Sequence, residues 1–101
     1  MNNDYSDLMF EFGSLVNYLD ETEFQVDAYE ADTYYLAECL IPFATKETIV
    51  LAVNENYLMI TAKDLENNTK RRTIYFPTKI EGKIISSTFS NGLLEVKIIK
   101  D

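Results

Sequence analysis

Hydrophobic and polar residues follow a strand pattern along most of the chain after its first quarter. The apolar segments are short, alternate with polar positions or carry β-branched and aromatic residues, and are bounded by turn-forming residues. They predict seven strands, at residues 24–30, 33–41, 49–53, 57–62, 72–76, 84–90 and 93–99. Turns recur about every 8 to 12 residues with no helical pattern between the strands, so the sequence favours an antiparallel β-sandwich over an α/β fold.

The strongest local signal is the dipeptide Asn91-Gly92 between the last two predicted strands. A two-residue hairpin loop requires positive φ at both positions, and asparagine and glycine adopt it most readily. The sequence therefore predicts a hairpin over residues 84–99. Two further turns are predicted at 54–56 and 64–68, where polar residues interrupt the apolar pattern.

In the first quarter of the chain, the apolar residues have the spacing of a helix instead. Leu8, Phe12, Leu15 and Leu19 follow one another at steps of four, three and four, which places them on one face of a helix over residues 4–19. Gly13 would cost such a helix about 1 kcal/mol, so the helix needs a surface to lie on. We therefore divide the chain into an N-terminal helical segment with an acidic linker, 1–22, and a sandwich domain, 23–101.

The composition limits the chain to one soluble domain. It has 101 residues, of which 47% are hydrophobic, enough for a single core. No apolar run approaches the roughly 18 residues that a membrane span needs, and the N-terminus lacks the pattern of a secretory signal. We expect a cytoplasmic protein.

The charge is unevenly distributed. Residues 1–45 carry ten acidic side chains and no basic one, whereas residues 46–101 carry nine basic and seven acidic side chains. An acidic chain repels phosphate backbones and anionic membrane surfaces, so we expect neither a nucleic acid nor a membrane partner. The charge also keeps a small protein soluble.

Candidate catalytic chemistry is sparse. The chain has no histidine and a single cysteine, Cys39, which excludes a cysteine-based or histidine-based zinc site and a histidine-dependent nucleophile. Cys39 falls within an apolar strand and is expected to be a buried thiol. The carboxylates at 20, 21 and 23 lack the spacing of a calcium loop and indicate a solvated linker. We therefore predict that the chain has no catalytic residue, binds no cofactor or metal, and is not an enzyme.

Five segments in order resemble the α-crystallin domain of the small heat shock protein family. They are residues 26–30, 35–42, 48–53 together with 56–62, 72–77 and 87–94. Arg72 followed five residues later by Pro77 is similar to one strand of the family, and Asn91-Gly92 with the two leucines after it is similar to its Gly-Val-Leu signature. The resemblance assigns structural roles to Arg72, Pro77, Asn91 and Gly92.

The resemblance implies an all-β, immunoglobulin-like antiparallel β-sandwich of the α-crystallin type, here with a short N-terminal helix. It also implies an ATP-independent holdase that binds partly unfolded proteins through apolar surface, without a cofactor. About ten residues separate Ala62 from Arg72, and at about 3.3 Å each they are too few to form a strand that is exchanged with a neighbouring subunit. The chain also ends at Asp101 without an Ile-x-Ile tail. We therefore expect a homodimer or small homo-oligomer instead of a large shell.

Alternation within the strands separates a predicted core from a predicted outer surface. The core positions are Tyr35, Ala37, Cys39, Ile41, Ile49, Leu51, Val53, Leu58, Ile60, Ile74, Phe76, Leu94, Val96 and Ile98. The predicted client or partner surface comprises Leu8, Phe12, Leu15, Leu19, Leu36, Leu40, Val50, Met59 and Leu93. We hypothesise that the N-terminal segment covers an apolar sheet face and that its exposure controls client binding.

An alternative function remains open at this point. A sandwich without an exchanged strand is also similar to the CS domains of co-chaperones, so the chain is alternatively an interaction module, or a structural subunit, without holdase activity. The short connection after Lys63 favours this alternative. The segment from Arg72 to Pro77 and the Asn-Gly-Leu-Leu sequence favour the holdase.

Overall fold

The computed structural model describes residues 10–11 and 24–101, and for residues 10–11 only the backbone. Over this part the chain is built from strands and one 3₁₀ turn, Lys46–Thr48. The strands are β1 (Phe10–Glu11), β2 (Gln25–Glu30), β3 (Tyr34–Leu40), β4 (Val50–Asn54), β5 (Tyr57–Lys63), β6 (Thr69–Tyr75), β7 (Ile85–Ser90) and β8 (Leu93–Ile99). The seven predicted strands after residue 23 are confirmed.

The strands form two antiparallel sheets. The first has the order β1-β2-β3-β8-β7 and the second the order β4-β5-β6. The chain crosses between sheets twice, after β3 through the 3₁₀ turn and after β6 through residues 76–84. The second crossover packs on the β4–β5 turn, where the Glu55 carbonyl accepts hydrogen bonds from the amides of Ile80 and Glu81. The predicted antiparallel β-sandwich is confirmed.

The core lies between the two sheets, on the alternate positions that the sequence predicts. Eleven of the fourteen predicted core side chains are buried. Ile49, Leu51 and Val53 are instead only half-buried. They lie in or directly before β4, one of the two edge strands of the three-stranded sheet. The prediction omitted several buried side chains of the same cluster: Phe24, Val26, Ala28, Ala62 and Ile80.

The Asn91-Gly92 hairpin has the predicted geometry. Asn91 and Gly92 have φ values of 53° and 80° and join β7 to β8 without a further loop residue. The Gly92 carbonyl also accepts a hydrogen bond from the Ile41 amide. A Cβ on Gly92 would lie 2.8 Å from the Pro42 Cα, so glycine is required here by both conformation and space.

Two sequence predictions are corrected. Phe10 and Glu11 belong to the predicted helix, but they form β1, which pairs with Glu30 and Tyr29 of β2; the edge of β2 offers backbone partners that local periodicity does not reveal. The rest of that predicted helix lies outside the described residues. The strand predicted from residue 72 begins at Thr69, so the basic residues 70–72 are part of β6.

Candidate functional site

The outward side of the five-stranded sheet presents a pair of exposed leucines. Leu40 in β3 lies directly opposite Leu93 in β8, and their side chains are 47% and 37% exposed. Both belong to the predicted client surface. Because facing side chains on neighbouring strands lie about 5 Å apart, the two leucines form one apolar contact area at the end of the sheet that carries the Asn91-Gly92 turn.

Leu36 differs from this pair. It lies on the same side of the sheet as predicted, but it is only 5% exposed, in a small outer cluster with Ala31 against which Tyr29 and Tyr34 pack. The expectation that Leu36 contributes accessible surface is therefore wrong. Alternation identified its face but could not identify the side chains that cover it.

The outward side of the three-stranded sheet is a second apolar area. Val50 in β4 is 57% exposed, and Met59 in β5 is half-buried opposite Ala52. The neighbouring Tyr57 and Tyr75 face one another with ring centroids 5.6 Å apart. Val50 and Met59 thus lie on one side of the sandwich and Leu40 and Leu93 on the other, so the predicted surface is two separate areas.

A groove runs beside the edge strand β7. It encloses about 170 Å³ and is lined by Lys46, Ile49, Ser87, Thr88, Phe89 and Leu94. Three of these residues are apolar, two carry hydroxyl groups, and Lys46 at the 3₁₀ turn adds a positive charge. The outward predictions did not include this groove, because Leu94 belongs to the core and Ile49 and Phe89 pack against it.

Three carboxylates form a row across the outward side of the five-stranded sheet. Asp27 in β2 lies opposite Glu38 in β3, and Glu38 lies opposite Glu95 in β8. Partial burial raises the pKa of Glu38, and the neighbouring Glu95 and Asp27 raise it further. We call these residues the carboxylate row. Like charges on facing positions destabilise a sheet, so the carboxylate row lowers the stability of the isolated chain.

Arg72 and Cys39 are structural. Arg72 is 3% exposed and donates a hydrogen bond from Nη1 to the Phe24 carbonyl, which ties β6 to the chain entering β2. Burial raises the pKa of the Cys39 thiol to about 12, although the nearby Arg72 acts in the opposite direction. A buried thiol of this kind is unreactive, and the predicted burial of Cys39 is confirmed.

Pro77 follows Phe76, the first residue after β6, and its side chain is exposed.

Four predicted surface residues cannot be placed. Leu8, Phe12, Leu15 and Leu19 lie outside the described residues, so their contribution stays a prediction. In the part of the chain that is described, no group of three or more potential ligands could hold a metal ion. No described helix is long and apolar enough to cross a membrane.

Comparisons with known proteins agree with this geometry. A family model described as the HSP20-like domain found in ArsA matches residues 32–98. A search of curated proteins gives no match. Heat shock protein 16.0 from Schizosaccharomyces pombe has a similar structure, with a TM-score of 0.69 and 24% identity over 77% of this chain. The aligned part spans 66% of the yeast protein, slightly under two thirds of its length.

Two more distant structures have the same fold. The Del-C4 mutant of hsp14.1 from Sulfolobus solfatataricus P2 gives a TM-score of 0.67 at 18% identity, covering 77% of this chain and 76% of that one. HSP18.5 from E. histolytica gives 0.66 at 18% identity, covering 76% and 86%. The two-sheet fold is thus the α-crystallin fold of small heat shock proteins, and the chain belongs to the family of HSP20-like domains found in ArsA.

Proposed function

We propose that the chain is an ATP-independent holdase that binds partly unfolded proteins through its exposed apolar surface. The observation that carries this proposal is the pair of apolar areas on the outward sides of the sandwich, with Leu40 at 47% and Val50 at 57% exposure. An antiparallel sandwich needs only its inner faces to be apolar. Exposed apolar groups beyond that need are available for binding.

Burial of apolar surface supplies the driving force. Each Å² of apolar surface removed from water contributes about 25 cal/mol, so a client that covers several of these side chains is held without ATP or a cofactor. The net charge of −8 favours solubility of the resulting complexes. The apolar areas thus bind the client, and the carboxylates keep the complex in solution.

A small assembly is part of the proposal. The β5–β6 connection is a tight turn, in which Asp64 Oδ1 accepts hydrogen bonds from the amides of Glu66 and Asn68 at 2.9 and 2.8 Å. A turn closed in this way offers no additional strand for exchange between subunits. We accordingly propose a homodimer or small homo-oligomer as the working form.

The test is suppression of aggregation of a heat-labile protein in the absence of ATP. We expect the full chain to suppress light scattering at a near-stoichiometric ratio. The double variant Leu40→Ser/Leu93→Ser, and separately Val50→Ser, should each require about twofold or more protein for the same effect, because each loses apolar contact area. Leu65→Ser is the matched control, since Leu65 is 90% exposed on the β5–β6 turn, outside both areas.

A second candidate is an interaction module without holdase activity. It is favoured by the description of the matching family as a domain found in ArsA, which places such domains within another protein. On this alternative the full chain leaves the aggregation of the heat-labile protein unchanged at every ratio, and the three serine variants behave identically. The fold is that of small heat shock proteins, and under both candidates we propose that the chain is not an enzyme.

A further inference from the structure

The two outward sides of the sandwich differ in charge. The outward side of the five-stranded sheet carries the carboxylate row, in which Asp27 lies opposite Glu38 and Glu38 opposite Glu95. The outward positions of β2, β3, β7 and β8 include a single cation, Lys97, whose Nζ lies 4.3 Å from the centroid of the Tyr34 ring. We call this the acidic side of the sandwich.

The outward side of the three-stranded sheet has the opposite charge. Alternation in β5 and β6 places Lys63 and Arg71 on this side, and both side chains are exposed. Arg71 lies opposite Thr61, which in turn lies opposite the exposed Val50. At the outward positions of β4, β5 and β6 no residue is acidic. We call this the basic side of the sandwich.

Each side places its charge next to its apolar surface. On the acidic side, Leu40 is two residues from Glu38 in β3, and Leu93 is two residues from Glu95 in β8. Side chains two positions apart on one strand lie about 7 Å from each other on the same face. The basic side likewise carries its cations beside exposed apolar side chains. The two sides are therefore complementary in charge and alike in apolar content.

A second copy of the chain fits both sides. The N-terminal segment of the chain brings no cation to the acidic side, because residues 1–45 contain no lysine or arginine. The basic side of another copy brings two, Lys63 and Arg71, together with apolar surface. Residues 24–101 contain eleven acidic and nine basic side chains, so the sandwich itself adds little net repulsion between copies.

The available area makes such a contact weak. The basic side is three strands wide, and its longer strands have seven residues. At strand spacings of about 4.8 Å and about 3.4 Å per residue, this side measures about 14 by 24 Å. A contact of this size buries roughly 700 Å² over both copies, below the roughly 1,200 Å² of a stable interface. The contact is therefore reversible, and a client that covers the same apolar areas can displace it.

We propose that copies of this chain associate head to tail, with the acidic side of one copy against the basic side of the next. A contact between unlike sides leaves the outer sides of the two end copies uncovered, and the net charge that accumulates with each copy opposes a long stack. This inference rests on the proposed function and deepens it, because a neighbouring copy and a client then compete for the same apolar areas.

The first experiment measures the mass of the full chain by sedimentation velocity over a concentration series, at about 0.1 M salt, where charges more than about 10 Å apart are largely screened. We expect the average mass of the parent chain to rise with concentration above that of one chain. Lys63→Glu/Arg71→Glu should associate about tenfold or more weakly, because like charges then meet across the contact. Lys46→Glu/Lys79→Glu, an equal charge change at exposed positions outside both sides, should associate as the parent does.

The second experiment mixes two variants. Asp27→Lys/Glu95→Lys should also lose association with its own copies, because cations then lie on both sides of the sandwich. In an equal mixture with Lys63→Glu/Arg71→Glu, every contact again joins unlike charges, so we expect the mixture to recover the mass of the parent. Urea denaturation first establishes that each variant is folded, and Asp27→Lys alone replaces the double variant if that does not fold.

Two results would overturn the inference. One is undiminished association of Lys63→Glu/Arg71→Glu, which is expected if the contact joins the same side of both copies. The other is a mixture in which both folded variants remain single chains. That result is expected if the acidic N-terminal segment, or a client alone, occupies the basic side.

The outcomes also separate this inference from the proposed function. Recovery of mass in the mixture, without suppressed aggregation of the heat-labile protein, retains the head-to-tail contact and rejects the holdase. Suppressed aggregation by a chain that remains single at every concentration retains the holdase and rejects the contact. Where both are correct, adding the client should convert the self-associated parent into complexes with the client.

Discussion

At the scale of single residues, Gly82 and Gly92 form a natural comparison. Both have φ values in the region that favours glycine, +91° and +80°. A Cβ on Gly82 would have no atom within 4 Å, whereas a Cβ on Gly92 would lie 2.8 Å from the Pro42 backbone. The two positions thus share the conformational requirement but differ in available space.

We expect Gly92→Ala to lower the free energy of unfolding by about 2 to 4 kcal/mol, because it adds a backbone clash to the conformational strain. Gly82→Ala should cost about 1 to 2 kcal/mol, from strain alone. Urea denaturation of both variants checks this. Equal losses would mean that Pro42 moves aside without cost.

The carboxylate row predicts an unusual pH response at Glu38. Its pKa is raised in the folded chain, so the folded state binds this proton more tightly than the unfolded state. Protonated Glu38 therefore stabilises the fold at low pH, and this contribution is lost as the pH rises through the pKa that Glu38 has in the folded chain. Ionised Glu38 is unfavourable at neutral pH, next to Glu95 and Asp27.

We therefore expect Glu38→Gln to be more stable than the unmodified chain at pH 7, with the difference shrinking as the pH falls below the raised pKa of Glu38. The measurement is the free energy of unfolding in urea at pH 7 and in steps down to pH 4. Glu47→Gln, at an exposed position of the 3₁₀ turn, is the control and should show no such advantage at pH 7. A Glu38→Gln variant less stable than the parent at pH 7 would contradict the sign.

At the scale of elements, the sequence predicted those parts of the fold that depend on neighbouring residues. The β7–β8 hairpin was predictable because the φ values of its turn depend on Asn91 and Gly92 alone. The strand β1 was not, because Phe10 and Glu11 are extended only through pairing with residues about 20 positions away. Similarly, the hydrogen bond of Arg72 was not predictable from local sequence, because its acceptor is the Phe24 carbonyl, 48 positions away.

The candidate surface was predictable to a similar extent. Alternation correctly placed Leu40, Leu93 and Val50 on outward positions, where they are exposed. It could not foresee that these positions fall on two opposite sides of the sandwich, since that depends on which strands share a sheet. The groove beside β7 could not be foreseen either, because its lining comes from residues 46 and 49 and from residues 87–94, about 40 positions later in the chain.

Removal of residues 1–21 tests the role of the N-terminal segment. The deletion removes β1 and with it the only described strand on the outer edge of β2. It also removes predicted surface residues whose contacts lie outside the described part. We expect the truncated domain to be less soluble and to change its number of subunits, as measured by light scattering after size exclusion. Equal solubility and an unchanged number of subunits would show that the segment covers no apolar face of the sandwich.

At the scale of the whole molecule, charge and apolar surface act together. The chain has a net charge of −8, yet it exposes apolar side chains on both outward sides of the sandwich. Like charge on every copy opposes growth beyond a small assembly, which leaves the apolar areas accessible to other chains. On the proposed function, an acidic sandwich of this kind holds an unfolded protein in a soluble complex.

The most direct test of the central proposal is the mass of the complex formed with a client. The full chain is heated with a heat-labile protein in the absence of ATP, and the supernatant is analysed by size exclusion with light scattering. We predict a soluble peak that contains both proteins, of greater mass than either alone, at near-stoichiometric composition. Precipitation of the client, with the chain eluting at its unheated mass, would contradict the holdase function.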